Sequence, residues 1–451
     1  VLTRVPWWLD EAPPDPAAEP LSGEAEADVA IVGGGYTGLW TAIELKRREP
    51  ALRVTVLEAE HVGYGPSGRN GGFLETYWCA LPRVRSRLGD EAALALARAS
   101  VGALDAIEAL GEDVWLRRGG MVEVSTTPAQ DAAVEEAVRA AAELGAPERA
   151  VLVEQPGISP VFRRGVRFPD AATVQPGRLV RALRRAAVAA RVGLHERSRV
   201  TSIRPGQVAT ARGRLRAPEI VVAANAWMSG WPPASRALSP FGSYVVLTEP
   251  VPELLAEIGW TGGEAIVDGR MFVHYFRTTP DGRVLMGSGS GPIGRAGRID
   301  ARFFDDEPTV ARAEQGLRRL LPALAAARVE RAWGGPIDVS SDQLPFFGTL
   351  AGTRIHYGAG YSGNGVGPSW LGGQILASLV LGSDDEWSRL PLAGRVPPRL
   401  PPEPVRHLGG ALVRRAILSV EAADEAGRRP SLAARGIAAL PRVLGLRIGT
   451  R

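Results

Sequence analysis

The sequence predicts an α/β fold in three parts: a parallel sheet flanked by helices and assembled from separated stretches, an inserted α+β unit with an antiparallel sheet, and a helical tail. Three observations predict it. From Asp28 to Glu58 the chain alternates apolar run, glycine turn, helical pattern and second apolar run. A second glycine-rich segment follows a strand-like run at Tyr357–Val366. Between the two lie stretches with two-residue alternation, bounded by turn signals.

Val29–Val32 is continuous apolar sequence, as a strand buried on both faces requires. Gly33, Gly35 and Gly38 follow as G-x-G-x-x-G. In this pattern the first glycine makes the tight turn, the second lets a pyrophosphate approach the backbone, and the third lets helix and strand pack closely. The helix is expected from Tyr36 to Arg48. Its first amides, around Tyr36 and Thr37, would face the diphosphate. The second strand, Arg53–Glu58, ends on Glu58 and Ala59. A carboxylate there accepts hydrogen bonds from ribose hydroxyls. Strand, glycines, helix, strand and acid in this order define a Rossmann-type dinucleotide site.

A second small-residue loop comes next, Gly63-Tyr-Gly-Pro-Ser-Gly-Arg-Asn-Gly-Gly-Phe73. It suits a longer dinucleotide, FAD, whose ring continues past the first helix. Ser67, Gly68, Arg69, Asn70, Gly71 and Gly72 are its candidate contacts, with Ser67, Arg69 and Asn70 as side-chain donors.

Here the sequence resembles the D-amino-acid oxidase-like (DAO) family of FAD-dependent amine oxidoreductases, and within it the γ-glutamylputrescine oxidoreductase-like branch. The family's second loop commonly reads Gly-Ala-Ser-Gly-Arg-Asn-Gly-Gly, and Pro66 replaces the alanine. The resemblance implies that Val200–Ile203 lies against the adenine and that Ile220–Trp227, with Ala224 and Trp227, returns to the cofactor. It also implies that Tyr357–Val366 is the final flavin loop, with Gly360, Ser362, Gly363, Asn364, Gly365 and Val366 as contacts. Asn364 stands where the family usually has histidine. A helix at about Ser369–Leu381 follows, its positive end directed at the flavin edge where charge grows on reduction. Some relatives attach the flavin to a late cysteine. Gly335 is near that position here, so non-covalent FAD is expected, with Cys79 a buried apolar residue.

On this basis the FAD-binding domain is expected at 22–90, 174–235 and 330–390, and the substrate domain at 91–173 and 236–329. The first insertion is alanine-rich and helical, then strand-like at Gly120–Val124. A helix at about Leu179–Arg191 follows the return at Gln175–Arg178. The second insertion carries strands near Ser243–Thr248, Met271–Arg277 and Val284–Gly287, with Thr279-Pro-Asp-Gly282 as a hairpin turn. Residues 391–451 form the tail, helical over Gly409–Leu446 and partly amphipathic.

The bulk numbers agree. The 451 residues exceed one small core, and 45% hydrophobic with 23% charged residues is ordinary for a globular chain. No run of about 18 apolar residues appears. Val1–Pro20 lacks the apolar core of a signal peptide, so a cytoplasmic protein is expected. The one cysteine excludes an intrachain disulfide and Cys-based metal sites. The net charge of +4 comes from arginines spread among acids, so no nucleic-acid partner is expected. His195, His356 and His407 have no companion at metal-ligand spacing.

The expected chemistry is oxidation of the C–N bond of an amine or amino acid to an imine, hydrolysed to an aldehyde or keto acid, with oxygen reduced to hydrogen peroxide. Lys46, the only lysine, lies inside the first helix and does not serve as the oxygen-assisting lysine of several relatives. A quinone or carrier protein therefore stays open as acceptor, and a tailoring or RNA-modifying module is the reading from another class. Tyr244, His274, Tyr275 and Arg277 are expected to line the roof over the flavin, with Arg277 able to pair with a substrate carboxylate. Of His274 and Tyr275, alternation turns only one inward. Trp333 and Tyr361 are candidates for an aromatic slot.

Overall fold

A computed structural model describes residues 2–443, 445 and 446. The end of the expected tail, residues 444 and 447–451, lies outside the described residues.

The first apolar run, Val29–Val32, is central in a six-stranded sheet. Val54–Leu57 and Glu219–Val222 flank it in parallel. Gly193–His195 and Ile355–Ala359 extend the two sides, also in parallel, and Phe346–Thr349 closes one edge antiparallel. The helix Tyr36–Arg48 has the predicted bounds. Its partner is the glycine-rich helix Val366–Leu381, which begins three residues earlier than expected. At Gly373 an added Cβ would stand 2.6 Å from the Cβ of Trp40, so only glycine permits this helix spacing. Arg48 ties the same two helices together through Gln374 at 2.9 Å, and bonds Asp385, just past the second helix, at 2.9 Å.

The second sheet has eight strands, in the order Val329–Ser340, Leu238–Thr248, Val284–Ser288, His274–Thr278, Ala265–Asp268, Met121–Ser125, Arg164–Phe168 and Val151–Val153. Thr279–Gly282 turns the hairpin as predicted, with Gly282 N donating to Thr279 O at 3.0 Å. The long pairing of Leu238–Thr248 with Val329–Ser340 carries the chain from this sheet back to the parallel one. A four-stranded sheet containing Val200–Arg204 and Gly23–Glu26 packs beside the parallel sheet. The predicted tail resolves into two helices, Val405–Glu425 and Leu432–Val443. Among the described residues no helix is long and apolar enough to cross a membrane.

Candidate functional site

Two cavities meet above the C-terminal ends of the parallel strands. The first is a long slot. Gly33, Gly35, Tyr36, Thr37, Glu58, Ala59, Ser67 and Asn70 line one side. Val200, Ala224, Trp227, Tyr361, Gly363, Gly365 and Val366 line the other. The second is a cavity of about 660 Å³ beneath the eight-stranded sheet, lined in part by Arg69, Gly71, Tyr275, Gly335, Ser362 and Asn364. Both are bounded by Pro66, Asn70, Ile337, Gly363 and Val366, which mark their junction.

Backbone constraints shape the slot. Gly33 has φ +114°, and a Cβ there would meet Ala223 O at 2.5 Å. A Cβ on Gly38 would stand 2.0 Å from Gly33 O, so the helix is held against the turn. Glu58 is folded back onto the first loop: Gly34 N donates to Oε2 at 2.8 Å and Glu60 N to Oε1 at 2.9 Å. Burial raises its pKa above the usual carboxylate range despite these bonds. Tyr36 N, at the start of the helix, donates to Ser67 Oγ at 2.9 Å, so the second loop seats on the first. The Tyr361 and Thr37 hydroxyls lie 2.7 Å apart.

Asn70 organises the second loop. Its Nδ2 donates to Pro66 O at 3.0 Å and Ser67 O at 3.2 Å, and its Oδ1 accepts from Gly72 N at 2.7 Å. Arg69 turns away from the slot. It donates to Tyr64 O (2.7 Å), Arg4 O (2.8 Å) and Gly334 O (3.2 Å), and burial lowers its pKa to about 10. Gly68, Gly72 and Gly360 line neither cavity. Gly68 and Gly72 serve close approaches of backbone, such as the 2.2 Å that a Cβ on Gly68 would leave to Gly63 O, and Gly360 packs against the Phe346 ring and Ser340.

The roof residues sort differently from expectation. Tyr275 faces the substrate-side cavity, its hydroxyl 2.8 Å from Ser243 Oγ. His274 points to the opposite face. There its Nδ1 meets Asp268 Oδ2 at 3.1 Å, its ring packs against Gly316, and burial lowers its pKa. Arg277 shares the Tyr275 face but sits two residues further along, under the second loop. Its Nη1 donates to Gly72 O (3.0 Å) and Val174 O (2.6 Å), and its guanidinium lies over Trp8. It lines neither cavity, and neither does Trp333, whose Nε1 donates to Arg69 O at 2.8 Å. Tyr244 is also buried elsewhere, its hydroxyl donating to Arg302 O. Tyr361 lines the slot rather than the substrate-side cavity.

Sequence reasoning passed over several acids. Asp338 lines the slot, fully buried. Its Oδ2 accepts from Gly360 N at 2.5 Å while Oδ1 has no hydrogen-bond partner, and burial raises its pKa to about 7. Glu75 and Glu123 line the substrate-side cavity, and Glu75 Oε2 accepts from Asn364 Nδ2 at 3.0 Å. Only their place in three dimensions identifies them. Among the described residues no group of three or more metal-ligating side chains occurs.

A parallel sheet with this glycine turn, a strand-end acid and a second loop seated on the first helix define a dinucleotide-binding oxidoreductase fold. The chain belongs to the FAD dependent oxidoreductase (DAO) family, whose model matches residues 28–379. It is 30% identical over 386 residues to the gamma-glutamylputrescine oxidoreductase of Escherichia coli (strain K12), covering 81% of this chain and 86% of that one. A probable oxidoreductase, OrdL, of Haemophilus influenzae is 25% identical over 401 residues, with 85% and 89% covered. The glycine oxidase structure from Geobacillus kaustophilus superposes with TM-score 0.67 at 22% identity, over 82% of this chain and all of that one (100%), which is a likeness of fold.

The cofactor of the family is therefore FAD, and the slot suits it. Gly33 and Gly35 line the slot without a side chain to occupy it, as an approaching pyrophosphate requires. Glu58 offers acceptors for ribose hydroxyls, and the unpartnered Asp338 Oδ1 offers a hydrogen-bonding site to a hydroxylated chain.

Proposed function

We propose that the chain oxidises the C–N bond of a primary or secondary amine or amino acid, giving an imine that water hydrolyses to an aldehyde or keto acid. The junction of the two cavities at Pro66, Asn70, Ile337, Gly363 and Val366 carries this reading: a substrate held beneath the eight-stranded sheet would meet the cofactor there. Bound FAD supplies the two-electron oxidation. Glu75, braced by Asn364, draws a cationic amine toward the junction, while Tyr275 and Ser243 wall the cavity opposite. The N-terminus of Val366–Leu381 borders the junction and favours negative charge there. The relatives named for gamma-glutamylputrescine and for glycine support an amine substrate.

Oxygen, reduced to hydrogen peroxide, is the acceptor in this proposal. Lys46, the only lysine, donates to Leu52 O at 2.8 Å at the end of the first helix, away from both cavities. That placement supports a quinone or carrier protein as the alternative acceptor. The slot residues named above bind FAD without a covalent bond in this reading, with Gly335 at the junction side and the lone Cys79 suited to a reducing cytoplasm. The test is anaerobic mixing of the flavin-loaded protein with diamines, N-methyl amino acids, aminophosphonates and simple amino acids. Bleaching of the flavin by at least one group is expected, and none at all would refute the proposal. Fast return of colour in air supports oxygen; slow return supports the alternative acceptor.

A further inference from the structure

The family match ends at residue 379, and the helices Val405–Glu425 and Leu432–Val443 lie beyond it. They are nevertheless built into the substrate-side cavity. Val413 and Ile417 are buried against Phe241, Phe272, Ile293 and Val339, and Met271 and Ile337 pack against this cluster. Those last two residues also line the cavity. The first tail helix holds the connection between Ala265–Asp268 and His274–Thr278: Phe272 N donates to Glu421 Oε1 at 3.1 Å, and Glu425 pairs with Arg270. The second tail helix contributes a lining residue of its own, Arg442.

Both signs of charge line the cavity: Glu75, Glu123 and Glu136 with Arg69, Arg83, Arg270 and Arg442, of which Arg69 is bonded to backbone carbonyls and Arg270 is paired with Asp268 and Glu425. Glu75 and Glu123 both act on Cys79, and Glu75 is bonded to Asn364 beside the junction. Arg83 and Arg442 line the wall formed by Leu81–Leu88 and the tail, and one turn beyond Arg83, Arg87 donates to Gly445 O at 3.4 Å. An amine drawn to Glu75 beside the junction would leave its far end to reach toward Arg83 and Arg442 on the tail side.

We propose that the C-terminal hairpin is a specificity element, in which Arg442 together with Arg83 binds an anionic group carried by the substrate at the end distal to the oxidised C–N bond. The proposal rests on the amine-oxidation reading for the identity of the other end. Guanidinium is the side chain suited to a carboxylate or phosphonate.

The test uses the full-length, flavin-loaded protein and hexanoate, which has no nitrogen to oxidise. Titration followed by the visible absorbance of the flavin should give saturable binding. Arg442→Ala should weaken it by about tenfold, the loss of one charge-assisted contact, and Arg442→Lys should restore most of it. Hexanamide, neutral and of similar size, should not distinguish the variants. With oxidisable probes, ε-aminohexanoate should half-saturate at about tenfold lower concentration than hexylamine, and Arg442→Ala should abolish that preference. Arg442 is exposed, so its replacement leaves the core intact, and flavin content checks this. Hexanoate binding that is absent, or equal in wild type and Arg442→Ala, overturns the proposal. Hexanoate binding that depends on Arg442 in a protein whose flavin no amine bleaches keeps the anion site and discards amine oxidation.

Discussion

The hydroxyls of Tyr361 and Thr37 lie 2.7 Å apart, and this one bond joins the last glycine loop to the first turn of the first helix. The two residues come from opposite ends of the family match. The Tyr361 ring also packs edge-on against Phe347, at 6.1 Å between centroids. Burial raises the phenol pKa, so the group stays a neutral donor and acceptor. Tyr361→Phe should lower the stability of the flavin-loaded protein by about 1 kcal/mol, the net worth of one buried hydrogen bond. Turnover per bound flavin should be unchanged, because the residue faces the slot and not the substrate-side cavity. Chemical denaturation beside steady-state assays would check both, and a large fall in turnover would return Tyr361 to the reacting atoms.

Glu58 is the next testable position. Its two oxygens already accept from Gly34 N and Glu60 N, so the carboxylate fixes the first loop and lines the slot at once. Glu58→Ala should weaken FAD binding by about 10- to 100-fold, through lost ribose contacts and two amides left unpaired. Glu58→Gln, which keeps one acceptor oxygen, should fall between. Flavin retained through gel filtration, followed by fluorescence titration, measures the series.

Much of the cofactor slot was legible in the sequence because glycine turns report backbone geometry locally. The Tyr36–Arg48 helix and the Thr279–Gly282 turn follow from the glycine pattern and from turn chemistry, which involve near neighbours. The substrate side was not legible in the same way. Alternation placed His274 and Tyr275 on opposite faces but carried no sign of which face meets the cavity. Arg277 shares the face of Tyr275, yet the packing of Gly72 and Val174, distant in the chain, captures it. Trp333 is likewise taken up by Arg69 O. Asp338, Glu75 and Glu123 have no motif around them, and Arg442 lies in a tail whose periodicity announces a helix but not its partner.

The buried Arg277 gives a prediction that separates support from substrate binding. It is fully buried with its pKa lowered to about 9, so it remains charged at neutral pH while bonded to two carbonyls. Arg277→Met should destabilise the protein by about 1–3 kcal/mol by taking the only side-chain donor from Val174 O and one of two donors from Gly72 O, which still accepts from Val174 N, and should loosen the second loop. The Michaelis constant for substrate, measured on flavin-saturated protein, should stay unchanged. Tyr275→Ala should do the reverse, raising that constant while costing little flavin, because Tyr275 lines the cavity beside Ser243. The opposite pattern would make Arg277 the substrate clamp and Tyr275 a packing residue.

Asp338 makes the stability of the flavin-free protein depend on pH. Burial raises its pKa from the ordinary carboxylate value to about 7, outweighing the bonds from the Gly360 and Tyr361 amides. The folded state then holds its proton more tightly than the unfolded chain does. Wherever the folded state binds more protons, stability falls as pH rises. The contribution of Asp338 is therefore complete below about pH 4, where both states are protonated, and declines until about pH 7, where the folded carboxyl ionises. Asp338→Asn stays neutral throughout, so that slope should disappear, and the variant without flavin should melt above the wild type at pH 8 and not at pH 4. Melting curves of the two flavin-free proteins between those values test the argument. Parallel curves across the whole range would mean that another group carries the proton.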